Sequence, residues 1–107
     1  MRCYEGRRTW RGATVTVNGR PLDPRLDLSN HSPDHFEWGY GGSGPAQLAL
    51  AILADHLADD EEALLFYQRF KWAVIADLPR QRGSLTGREI DQALERIRDQ
   101  ERLGGAA

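Results

Sequence analysis

Residues 36–54 read FEWGYGGSGPAQLALAILA, a short aromatic run joined to an almost wholly apolar one through a glycine-rich turn. Phe36-Glu37-Trp38-Gly39-Tyr40 has the period of a strand, with Phe36, Trp38 and Tyr40 on one face and Glu37 on the other. The helix expected from about Pro45 to Leu57 is apolar all round from Leu48 to Ala54, which predicts a central helix packed on several sides. Pro45 sits in the first turn, where proline is tolerated. Between strand and helix, Gly39, Gly41, Gly42 and Gly44 forgo side-chain packing and add unfolded-state entropy, so the fold or the function must need their unusual backbone angles.

Upstream, Arg2 to Leu22 reads as two or three short antiparallel strands, because Tyr4 and the alternating Ala13 to Val17 suit strands and Asn18-Gly19 is a strong tight-turn dipeptide. Arg7, Arg8 and Arg11 with Trp10 among them read as a solvated hairpin tip, with phosphate contact and base stacking as the alternative. Asp23 to Asp34 is rich in Pro, Asp, Asn, Ser and His, the chemistry of an ordered surface loop. His31 and His35 have a spacing that a helix would bring to one face, but Pro33 lies between them and no third ligand stands at a recognisable distance, so no metal site is expected.

Downstream, Asp59-Asp60-Glu61-Glu62 opens a second helix, where carboxylates favour the positive end of the helix dipole and an Asp can cap the free amides. Ala63, Tyr67, Phe70, Val74 and Leu78 continue it at helical spacing until Pro79. An Arg-Gln-Arg-Gly linker leads to the capping box Thr86-Gly87-Arg88-Glu89 and a third, amphipathic helix with Ile90, Ala93, Leu94 and Ile97 on its inner stripe. The expected fold is α+β, a small antiparallel sheet of two to four short strands packed on a three-helix layer. It forms a single domain over residues 1–107, β-rich in 1–40, helical in 45–103 and frayed in 104–107.

Formal net charge is −2, with 14 basic and 16 acidic residues, so duplex nucleic acid is not the expected partner. The single cysteine, Cys3, allows no internal disulfide, which suits a reducing cytoplasm. The longest apolar run is too short for a bilayer and the first residues do not read as a secretory signal, so no membrane association is expected.

Gly39 to Gly44 formally match G-x-G-x-x-G, yet a dinucleotide fold needs a parallel strand after the helix, and here a second helix follows. Ser43 fails the nucleophile-elbow pattern because Pro45 stands where glycine is required, and it reads instead as a helix cap. Free amides at a helix amino terminus, approached through glycines, favour a phosphate or carboxylate; otherwise the glycines only allow close packing. Gln47 either donates to a ligand held by the loop or satisfies the loop's own carbonyls.

FEWGYGGSGPAQLALAILAD, with Tyr4-Glu5-Gly6-Arg7, Val17-Asn18-Gly19, Phe70-Lys71 and Leu85-Thr86, resembles a family of small uncharacterised domains from bacteria, phages and mobile elements. The resemblance spans roughly residues 4 to 90 and departs at Gly83-Ser84, where members commonly carry an aromatic. It implies no activity, cofactor or catalytic residue, only a context of accessory proteins acting on a host system. The first expectation is a non-enzymatic protein binding a phosphate-bearing small molecule through Trp38, Tyr40, Gly41, Gly42, Ser43, Gly44 and Gln47. The second is a protein-interaction module inhibiting a host defence complex through Asp59, Asp60, Glu61 and Glu62 or the charged face of the third helix. An enzyme ranks third, and no cofactor is expected.

Overall fold

The computed structural model describes residues 2–33 and 35–105. The chain begins with strands β1 (Cys3–Thr9), β2 (Gly12–Val17) and β3 (Arg20–Pro21). Helices α1 (Ser43–Leu57) and α2 (Asp60–Ala73) follow, then a 3-10 turn at Ile75–Asp77, strand β4 (Arg82–Thr86) and helix α3 (Gly87–Gly105). The four strands form one antiparallel sheet in the order β3-β2-β1-β4, and the architecture is α+β.

Local chemistry accounts for most of these boundaries. Asn18 and Gly19 both take positive φ, as a two-residue hairpin requires, and set Val17 opposite Arg20. Asp59 caps α2 by accepting from the Glu62 amide at 3.1 Å. At the start of α3, Thr86 and Glu89 exchange bonds reciprocally: the Glu89 amide donates to Thr86 Oγ1 and the Thr86 amide to Glu89 Oε1. α3 continues through Gly105, two residues beyond its expected end, while Ala106 and Ala107 of the expected frayed tail lie outside the described residues.

Every residue of α1 from Gly44 to Ala54 is buried, as its lack of a polar face demands. Leu48 and Ile52 meet Tyr4, Val15 and Leu85 on the inner face of the sheet around a void of about 20 Å³. Phe66, Phe70 and Ile75 from the α2 region and Ile90, Leu94 and Ile97 from α3 join the same core. No helix among the described residues is long and apolar enough to cross a membrane.

The strand expectation for Phe36 to Tyr40 is corrected. That segment forms no ladder; it runs over the inner face, where Phe36 and Trp38 are buried and the Gly39 amide donates to Ile75 O at 3.0 Å. The sheet edge beside β1 is instead taken by Arg82–Thr86, part of which reads in sequence as a linker. A glycine and a serine make Arg82 to Ser84 a poor strand by propensity, but the open edge of β1 offers unpaired backbone groups that the returning chain satisfies.

Candidate functional site

The turn between Trp38 and α1 is shaped by one angle and three close approaches. Gly39 alone among its four glycines has positive φ, at 88°, and this breaks the extended alternation so that Trp38 points into the core while Tyr40, 43 % exposed, turns outward. The other three are required for space rather than for angle. A Cβ on Gly41 would lie 2.2 Å from the Trp72 indole, one on Gly42 2.8 Å from the Tyr40 ring, and one on Gly44 2.7 Å from Glu37 Cβ.

Gly42, not Ser43, is the N-cap of α1, and no side chain caps this end; the expectation for Ser43 is corrected accordingly. Ser43 is the first helical residue and exposed. The first turn carries no acidic residue, and the first backbone bond runs from the Ala46 amide to Gly42 O at 2.9 Å, which leaves the Ser43 and Gly44 amides ahead of it. Gly42 is already extended, so a serine hydroxyl one residue later has passed the position from which it can reach back to an amide.

Two of the expected ligand-binding side chains lie inside the fold. Trp38 is buried, donates its indole N–H to Pro79 O at 2.8 Å and lies under the Arg8 guanidinium. Gln47 is fully buried and uses its whole amide within the chain. Its Nε2 donates to Pro24 O at 2.6 Å and Ser29 O at 3.0 Å, while Oε1 accepts from the amides of His31 at 2.8 Å and Ser32 at 3.2 Å. It therefore pins the long loop between β3 and α1, whose His31 ring also meets the Tyr67 hydroxyl at 2.8 Å.

The acidic run is largely committed as well. Asp59 is a cap, Asp60 pairs with Arg25 at 2.9 Å and Glu62 with Arg98 at 3.2 Å, so Glu61 alone of the four has no partner among the described residues. The hydrogen-bonded Arg25 guanidinium beside Asp27 holds its carboxyl below the usual carboxylate range, against a smaller opposing effect of desolvation.

What the structure assembles around the turn is a different set. Tyr40, Gly41, Gly42 and Ser43 stand with Trp72, Lys71 and Arg80. The Trp72 indole overlies Gly41 yet is 61 % exposed, and the Arg80 guanidinium lies 5.6 Å from the Tyr40 ring centroid. Lys71 is only 8 % exposed, and its ammonium has no carboxylate among the described residues; it rests 4.4 Å from the centroid of the Trp72 ring. Sequence reasoning passes over these three residues, although Trp72 does carry a signal. It falls outside the helical stripe of Ala63, Tyr67, Phe70 and Val74, so a large aromatic had to face outward.

The result is a helix end with no acidic residue in its first turn, two exposed rings and, among the described residues, two cations without carboxylate partners. Such an arrangement can hold an anion beside a flat apolar group. Comparison of the chain with curated proteins and with solved structures returned no match. Residues 4–96, from β1 into the body of α3 and through the whole of this turn, match a family model, and the chain belongs to that family, DUF6166, a family of unknown function.

Proposed function

We propose that the protein is a non-enzymatic binding protein that holds a phosphate-bearing small molecule at the turn formed by Tyr40, Gly41, Gly42 and Ser43, with Lys71, Trp72 and Arg80 beside it. The observation that carries this reading is Lys71. Its stem is buried, but its ammonium is not shut off from solvent: it emerges over the Trp72 ring with no carboxylate among the described residues, and so stands available to an anion. The uncapped amides of Ser43 and Gly44 add the donors that phosphate oxygens favour at a helix start. Tyr40 and Trp72 supply flat apolar surface on which a nucleobase would stack. Trp38 and Gln47 hold the site in place and do not touch the ligand.

Titration calorimetry with inorganic phosphate and a panel of nucleotides tests this. Lys71→Met keeps the buried stem and removes the charge; it should weaken binding by about tenfold or more with little change in Tm, since the ammonium makes no ion pair among the described residues in the free fold. Gly42→Ala requires only that the exposed Tyr40 ring give way, and it should weaken binding by crowding the amides. Absence of heat from every anion at concentrations up to about a millimolar would overturn the proposal.

A second reading rests on Trp72 and Leu65, which are seven residues apart on α2 and 61 % and 66 % exposed. Exposed Trp and Tyr residues of this kind dominate protein contacts, and an accessory protein of phage or mobile-element origin would engage a host complex through this aromatic face rather than through the committed acidic run. Lys71→Met separates the two readings, because it removes the charge an anion site needs and keeps the exposed Trp72 and Leu65 side chains.

A further inference from the structure

The sheet has two unlike faces. Tyr4, Val15, Val17 and Leu85 point into the core, while Glu5, Arg7, Thr14, Arg82 and Ser84 point outward and are exposed. Arg7 stands opposite Arg82 in the β1–β4 register and opposite Thr14 in the β1–β2 register. Like charges placed directly across a ladder are unfavourable, and among the described residues only Glu5, 3.5 Å from Arg82, offsets them on this face. Arg7 has no carboxylate among the described residues. Together with Thr16 and the backbone of Gly6, these side chains line a hollow of about 240 Å³.

At the β1–β2 end of the face the two-residue hairpin carries Trp10, 89 % exposed, with the Arg11 guanidinium 4.8 Å from its ring centroid. Trp10 is three residues along from Arg7, about 10 Å of strand. A chain whose net charge is −2 thus gathers three guanidinium groups and one carboxylate on one face and its tip.

We propose that this face binds single-stranded nucleic acid over two or three nucleotides, with Arg7 and Arg82 on the phosphates, the Thr14 and Thr16 hydroxyls as further donors, and Trp10 stacked on a base. Charge complementarity selects a polyanion, and the isolated exposed indole selects one whose bases are unstacked; a duplex hides those base faces. The site lies on a different surface from the Lys71 turn and does not depend on it.

Fluorescence anisotropy of the full chain with end-labelled oligouridylate and oligothymidylate, at about 50 mM salt, tests the proposal. Binding is expected to weaken by about fivefold or more in Trp10→Ala. Arg7→Ala and Arg82→Ala should each lower the log–log salt slope by about 0.7, the value for one single-strand phosphate contact. Arg96→Ala, on the outer face of α3, should change neither, and a duplex of the same length should bind at least about tenfold more weakly. Circular dichroism confirms that each variant is folded. No anisotropy change at protein concentrations up to about 100 μM overturns the proposal, as does duplex binding of equal strength. Displacement of the oligonucleotide by an equal concentration of polyglutamate also overturns it and assigns the face to an acidic protein segment.

Discussion

Gly6 and Gly83 face each other across the β1–β4 ladder, and the Trp38 indole lies over Gly6 and reaches the edge of Gly83. A Cβ on Gly6 would stand 2.8 Å from Trp38 Cη2 and 2.9 Å from Cζ3. On Gly83 the nearest atoms would be Leu78 Cδ1 at 3.5 Å and Trp38 Nε1 at 3.6 Å, an ordinary contact. Two glycines that look equivalent by pairing therefore differ in how much space they keep.

Gly6→Ala should cost about 1–3 kcal/mol, because the buried Trp38 ring is tied to Pro79 and cannot move aside. Gly83→Ala should be accommodated beside the small void it lines, and should raise stability by about 0.4–1 kcal/mol by restricting the unfolded chain. Urea denaturation of the two variants checks this. Equal effects would mean that the Trp38–Gly6 contact does not order this corner.

Gln47→Ala should destabilise the free protein by about 3 kcal/mol or more, well beyond one neutral hydrogen bond, since it orphans Pro24 O, Ser29 O and the amides of His31 and Ser32 together. Gln47→Glu keeps the acceptors but sets a carboxylate oxygen against two carbonyls, and should also destabilise. Denaturation curves, with amide exchange across residues 24–32, report both effects. A loss under about 1 kcal/mol in either variant would show that the loop is held by other contacts.

Tyr4 is buried and donates to Asp55 Oδ2 at 2.5 Å; burial first, then this bond and the Asp55 charge, push its phenol far above the ordinary tyrosine range, with Arg2 opposing weakly. The folded-state pKa is thus raised above the unfolded value of about 10. The associated stability is complete below about pH 10 and is lost as pH rises beyond it. Tyrosinate absorbance should show a fraction of the three tyrosines ionising only as the fold is lost, and Tyr4→Phe should abolish that delayed fraction. A single ionisation step with the fold intact would contradict this.

The parts of the fold legible in sequence are those whose cause is local. The apolar circumference of Leu48 to Ala54, the Asn18-Gly19 hairpin, the Asp59 cap and the Thr86–Glu89 box each act within a few residues, and each stands in the structure where its chemistry puts it. Phe36 to Tyr40 misleads because period-two alternation reports two-sidedness and not pairing. A segment crossing the inner face of a sheet alternates in the same way as one hydrogen-bonded at its edge.

The candidate site divides along the same line. That a glycine-rich turn opens the central helix is legible in the chain alone, because glycine density and apolar periodicity are properties of adjacent residues. It took the tertiary packing to turn Trp38 and Gln47 inward, to close the sheet beside β1 with Arg82 to Thr86, and to set Trp72, with the Lys71 ammonium on its ring, against Gly41. Each of these depends on which distant segment occupies the space beside a residue, and that is set by the packing of the whole core.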